Sequence, residues 1–366
     1  MLKTVLFTLA LATSSFAFAQ NRATFEKTAC PSGVTATECG FTVVPESRVA
    51  TAGSKNIKLF TAVVRSRAAN KLPDPLVFLS GGPGEKAAAL TILGQVFPRH
   101  DVVIFDQRGV GLSQPALECP EYAQVSAAPD SVAGGDIATK ALVTCGERFK
   151  TQGIDLSAYN ATESAADVND LRLALGFNKI LLFGVSYGTR LAQEVMRSYP
   201  QGLRAVVLDS VIPPQIDRAA DTPRSLEESL QKVLVTCAAD STCNNKYPNL
   251  EKTLTDLVAK LNAKPATVTL GGTSSPLDGN GVLGLVVGSL YFAQGISELP
   301  NLVTSLSAEK YDVLKGSFVE QFTQAVSDGI TIGAFFSHEC RGEMAFSGVA
   351  NLRTTYTQFP RWAAAI

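Results

Sequence analysis

Histidine is nearly absent from this sequence, with two in 366 residues, His100 and His338. No CxxC pair occurs either, which argues against a structural zinc site built from closely spaced cysteines and histidines. There is no basic surplus: 32 lysines and arginines stand against 33 aspartates and glutamates, for a formal charge of −1. That balance removes the electrostatic footprint expected of a nucleic-acid binder. After the first nineteen residues no apolar run is long enough to cross a bilayer, and no internal repeat is visible. A hydrophobic content of 46% excludes disorder of the whole chain and is ample for one large core or a core with an appended smaller domain.

What is present begins with "MLKTVLFTLALATSSFAFA", a lysine followed by a short apolar run and a small-x-small ending. This pattern predicts a cleaved secretory signal over residues 1–19 and an exported protein, periplasmic or extracellular. Its removal takes away Lys3 and no acid, so the formal charge moves from −1 to −2. In an oxidising compartment the seven cysteines read as disulfide partners. Close spacing favours Cys30 with Cys39 and Cys237 with Cys243, and Cys119 with Cys145 is a plausible third pair. Cys340 is then left over.

Strand-like runs recur at 42–45, 57–64, 75–79, 101–105, 179–183 and 204–208. The last four are continuously apolar, as in strands covered on both faces of a mainly parallel sheet. Helical patterns fall between them. "TESAADVNDLRLALG" carries Thr162 as a cap and stops at Gly176, and "GTRLAQEVMRSYP" ends before Pro200. Alternating strands and helices predict an α/β sheet over 20–210. From about Pro213 the texture turns helical, interrupted by a polar break at 271–281, and predicts a mostly helical cap over 211–366. "AAPDSVAGGD" near residue 130 reads as an exposed loop.

The chemistry gathers in three motifs. "LLFGVSYGTR" sets Ser186 between Gly184 and Gly188, directly after an apolar strand and at the head of a helix. This setting makes a nucleophile elbow: small flanking residues permit the tight turn, the hydroxyl is exposed, and the Tyr187 N–H points toward a reacting carbonyl oxygen. "SGGPGE" follows another strand by one residue and offers a second oxyanion donor, Gly82 first and Gly81 second. In "DQRGVGLS", Asp106 and Arg108 read as a self-neutralised polar network bracing the elbow, rather than as a catalytic acid.

In this order the motifs resemble the α/β-hydrolase superfamily, and within it the proline iminopeptidase and tripeptidyl aminopeptidase family of serine exopeptidases. That family's loop usually reads HGGPG; Ser80 stands in the histidine position here, as in the tripeptidyl branch. "DVNDLRLALG" before the elbow and "VVLDSVIPP" after it extend the resemblance to about residues 39–346. It implies a peptide or small ester substrate and no metal or organic cofactor. It also implies that acids of the cap hold the substrate amine, with Glu343 in that position and Glu339 a weaker choice, although Gly342 stands where many relatives carry an acid. The family takes its triad acid from a GxxDPxxP-like segment and its base from a late GH pair, and neither occurs in this sequence. The leading expectation is therefore a chain without the last strands, the acid and the base, in which Cys340 wants a partner beyond Ile366. Two alternatives stand beside it: a rearranged triad of Ser186, Asp209 and His338, and a non-catalytic binding protein on a hydrolase frame. Among enzymes, an esterase is the main alternative to a peptidase.

Overall fold

The computed structural model describes residues 23–49, 54–270 and 273–362; the expected signal segment lies outside them. Seven segments pair into one sheet: β1 (Thr24–Thr28), β2 (Glu38–Pro45), β3 (Asn56–Val64), β4 (Leu76–Leu79), β5 (Val102–Phe105), β6 (Ile180–Val185) and β7 (Leu203–Asp209). Their spatial order is β1-β2-β3-β5-β4-β6-β7. The first three strands and the β3–β5 pair are antiparallel, whereas β5, β4, β6 and β7 run parallel. Two of the four continuous apolar runs sit as their pattern predicts, β4 and β5 being buried at every position, whereas β6 alternates buried with half-buried residues and β7, at the sheet's edge among the described residues, is half-buried to exposed throughout. β1 has no such signal. Its TFEKT sequence is polar and exposed, and it is held by pairing with β2 and by the nearby Cys30–Cys39 disulfide.

Helices Ala161–Ala174 and Tyr187–Ser198 cover one face of the sheet, burying Val168, Leu171, Leu191 and Val195 against Val77, Leu79, Val103 and Leu182. The other face carries Leu76, Phe78, Val102 and Ile104 beneath Leu90, Leu93 and Phe97. Because β4 has β5 on one side and β6 on the other, the chain reverses its direction of travel there. In such sheets the crevice beyond the carboxyl ends of the strands at the reversal is the usual ligand site.

Three local readings are corrected. The 131–136 stretch is helical, the start of Ser131–Thr151: Asp130 caps it by accepting from Ala133 N–H, and Gly134 lies close to Ala128 and Val125. A good cap and close packing there outweigh two helix-weakening glycines. The cap of the next helix is Asn160, which accepts from Glu163 N–H, and Thr162 falls inside the first turn. The polar stretch at 271–281 is no simple break: it includes one strand of a hairpin, β8 (Ala266–Leu270) with β9 (Thr273–Leu277), and the Asp278 cap of helix Gly279–Leu290.

Beyond the sheet, helices Arg218–Ala239, Leu250–Ala263, Gly279–Leu290, Ala293–Ser307 and Phe318–Gly329 enclose a separate cluster. Leu230, Leu254, Leu257, Val282, Val286, Leu302, Leu306 and Trp362 lie at its centre. The chain then returns to the sheet. Thr331 N–H donates to Gly84 O at 2.8 Å, Lys86 N–H to Gly329 O at 2.8 Å, and Gly333 N–H to Leu117 O at 2.9 Å. The two disulfides favoured by close spacing and the plausible third, Cys119–Cys145, are formed, and Cys340 is a free thiol. No helix among the described residues is long and apolar enough to cross a membrane.

Candidate active site

At the end of β6 the backbone bends sharply. Ser186 has φ 53° and ψ −121°, and helix Tyr187–Ser198 starts at the next residue. A non-glycine residue in this region carries strain of about 1–3 kcal/mol and persists only where its surroundings fix it. Here they do. Ser186 N–H donates to Asp209 O at 3.0 Å, and Ser186 O accepts from Thr189 N–H at 2.9 Å and Thr189 Oγ1 at 2.7 Å. Thr189 Oγ1 in turn accepts from Ile212 N–H at 2.9 Å. The flanking glycines are required by closeness: a methyl on Gly188 would lie 2.0 Å from Leu79 O, and one on Gly184 would lie 2.4 Å from Gly188 O. The Ser186 side chain is half-buried and makes no hydrogen bond among the described residues.

Facing the elbow is the loop after β4. A methyl on Gly81 would lie 3.3 Å from Ser186 Cβ and 3.0 Å from Glu85 Oε2. Gly81 N–H is already engaged, donating to Glu85 Oε2 at 2.6 Å. Gly82, at φ 98°, has no acceptor for its N–H among the described residues, so of the two glycines it is the open donor. Ile330 of the returning chain would touch a methyl on Gly82 at 3.4 Å. Ser186, the head of the Tyr187 helix and the Gly81–Gly82 loop are thus gathered at the carboxyl ends of β4 and β6. A helix N-terminus adds partial positive charge at the same place.

Other candidate residues lie apart. Asp209 gives its carbonyl to Ser186 N–H, but among the described residues its exposed carboxylate accepts only from Ser210 Oγ at 3.2 Å. His338 is 2% exposed and meets the Tyr187 hydroxyl through Nδ1 at 3.1 Å. Burial, followed by the positive charge of Arg108, pushes its pKa down to about 3. Ser186, Asp209 and His338 are therefore not brought together as a triad; the imidazole meets the phenol of the elbow helix instead. His100 bonds Asp74 O at 2.9 Å. Glu339 is buried and ion-paired with Arg218, its Oε1 has no partner among the described residues, and burial pushes its carboxyl up. Glu343 closes the π-turn Glu339–Glu343, and its side chain lies outside the described residues. Tyr187, His338, Arg190, Arg341, Gly342 and Phe346 help to line a cavity of about 500 Å³, whose walls do not include Ser186.

Asp106 and Arg108 do not neutralise each other. Asp106 accepts from the N–H groups of Ala87, Ala88 and Leu112 at 2.7, 3.0 and 2.8 Å, fixing the loop that follows Glu85. Burial raises its pKa. Arg108, fully buried, forks onto both oxygens of Asp167 at 2.7 Å and also donates to the carbonyls of Glu46 and Ala158. Arg48 joins this network through Glu163, Asp167 and Asp170. Sequence reasoning left both this network and Glu85 unassigned. The glutamate was visible at the end of "SGGPGE", but only the folded turn carries it back to Gly81.

A family described as alpha/beta hydrolase fold matches residues 74–262, more than half of the chain. The serine protease Hip1 of Mycobacterium tuberculosis is 31% identical over 201 residues, covering 50% of this chain and 38% of that protein. The tripeptidyl aminopeptidase of Streptomyces coelicolor is 28% identical over 196 residues, covering 50% and 36%. A probable proline iminopeptidase of the same species is 28% identical over 139 residues, covering 37% and 32%. The matched stretch thus spans under two-fifths of the length of each of these three relatives.

Proposed function

Because this chain belongs to the α/β-hydrolase fold family, we propose that it is an exported serine hydrolase, and within that class an aminopeptidase that releases residues from peptide N-termini. The observation that carries the reading is the strained Ser186 held against the Gly81–Gly82 loop. Ser186 Oγ attacks the scissile carbonyl, and the proton it gives up is handed on to the departing amine. The carbonyl oxygen becomes an anion held by the N–H groups of Tyr187 and Gly82, and the amine departs with a proton, leaving an acyl group on Ser186. Water then releases the acyl group and restores the hydroxyl. Preorganised donors of this kind lower the barrier by about 3 kcal/mol each.

The proton acceptor in this chemistry is ordinarily a histidine oriented by an acid, and among the described residues neither histidine hydrogen-bonds Ser186. The peptidase reading is supported by the printed names of the relatives, and export by the N-terminal pattern and the three disulfides. The test is labelling with a fluorophosphonate probe: Ser186 is modified, and Ser186→Ala abolishes the modification. Absence of label even on the full-length natural protein eliminates the hydrolase reading in favour of a binding protein. Release of chromogenic amines from free but not N-acylated amino-acid derivatives separates the peptidase from an esterase.

A further inference from the structure

Beside the elbow helix lies a cavity of about 500 Å³ that the proposed reaction leaves unused, since Ser186 is not in its wall. That wall carries three kinds of donor. Asn160, Ala161 and Thr162 bring the head of helix Ala161–Ala174 to it. Asn160 accepts from Glu163 N–H, but the N–H groups of Ala161 and Thr162 have no acceptor among the described residues. Arg341, in the π-turn Glu339–Glu343, adds a guanidinium that forms no ion pair among the described residues. His338 is the third: its ring is 2% exposed, Nδ1 meets the Tyr187 hydroxyl at 3.1 Å, and Nε2 has no partner among the described residues. When the phenol donates to Nδ1, the proton of the neutral ring sits on Nε2, a buried donor that lacks an acceptor.

The acids of the same wall are already engaged, Glu163 by Arg48 at 2.7 Å and Glu194 by Arg197. Arg341 is therefore left to attract an anion, and the positive end of helix Ala161–Ala174 adds to its pull. The rest of the wall describes the body of the ligand. Val49 and Phe346 line the cavity while 85% and 82% exposed, apolar side chains that water surrounds until something covers them. We propose that this cavity binds an organic monocarboxylate with an apolar body, its charge answered by Arg341 and the open N–H groups of the helix head, its body covering Val49 and Phe346. Glu163 and Glu194, although engaged, disfavour a second negative charge, which sets such an acid apart from inorganic phosphate. The site goes beyond the hydrolytic reading and does not depend on it.

The probe is 3-phenylpropionate, compared with 3-phenylpropionamide and inorganic phosphate. The readout is the pair of histidine ring signals in ¹⁵N spectra, with that of His338 assigned by its loss in His338→Gln. The acid is expected to shift the His338 signal saturably and leave His100 unmoved, and the amide and phosphate to bind about tenfold or more weakly. Arg341→Gln weakens binding of the acid about tenfold. Ala161→Pro deletes one open N–H at the first helical position, where proline is accommodated, and Asn160 before it is already extended at φ −146° and ψ 168°. That variant binds about threefold more weakly. Ser186→Ala binds as the parent does. The absence of a saturable shift at His338 overturns the proposal, as does equal binding of acid and amide, or of acid and phosphate. So does undiminished binding by an Arg341→Gln protein that melts like the parent. Loss of binding in Ser186→Ala would move the acid to the crevice of the nucleophile and overturn it as well. None of these outcomes turns on whether Ser186 is labelled, so failure of this site and failure of the hydrolase reading are separate results.

Discussion

His338 holds a neutral imidazole in the interior, with a pKa lowered to about 3 by burial and by Arg108. In the unfolded chain the same ring titrates near 6.5. Above pH 7 neither state binds the proton, and the residue has no effect on the pH dependence of stability. As pH falls below 6.5 the unfolded chain takes up a proton that the folded chain refuses, so stability drops by about 1.4 kcal/mol per pH unit until about pH 3. Urea midpoints measured from pH 7 to pH 4 are expected to fall, and His338→Gln should shallow that fall by one proton's worth. An unchanged slope in the variant would place the ring in water. At this scale the sequence was legible where a motif dictates a backbone conformation, as for Ser186, and illegible where meaning depends on an approach across the fold. Nothing in the order of residues said whether His338 would meet the hydroxyl at 186 or the phenol at 187, nor that Glu85 would turn back onto Gly81.

The strand, bend and helix around Ser186 work as one element because the two glycines let neighbouring backbones touch. Gly188→Ala drives a methyl to 2.0 Å from Leu79 O, a backbone atom that cannot step aside. The expected cost is about 3 kcal/mol or more of stability, read from the thermal midpoint, together with loss of probe labelling at Ser186. A variant that labels and melts like the parent would show that the elbow is looser than described. Most elements were readable from their patterns: the apolar runs of β4 to β6 have almost no other interpretation, and the helix Ala161–Ala174 stops just before Gly176, which takes a positive φ of 75°. What escaped were elements made by partners. β1 owes its existence to β2 and a nearby disulfide, and the strands β8 (ATVTL) and β9 (TSSPL) carry Thr, Ser and Pro that also suit a loop.

At the scale of the whole sheet, β7 lies at one edge among the described residues, and its outer side has no partner among them. Val207 is 55% exposed there, with Val211 and Ile216 also exposed nearby in sequence. An apolar, unpaired edge is a template for association between chains. Sedimentation of this chain is expected to show mass rising with concentration, and Val207→Lys should return it toward the monomer. A chain that stays monomeric at every concentration would show that the edge is shielded. The other end of the sheet's active crevice has the opposite character. There, Gly329, Ile330 and Thr331 are stitched to Gly84, Glu85 and Lys86 by main-chain hydrogen bonds, with Ile330 against Gly82. A wedge driven under that seam, by a small molecule or a bulky substitution, would swing the Gly82 amide off its axis while sparing the hydroxyl at 186. Such remote disarming would offer a route to inhibition that never enters the substrate's place.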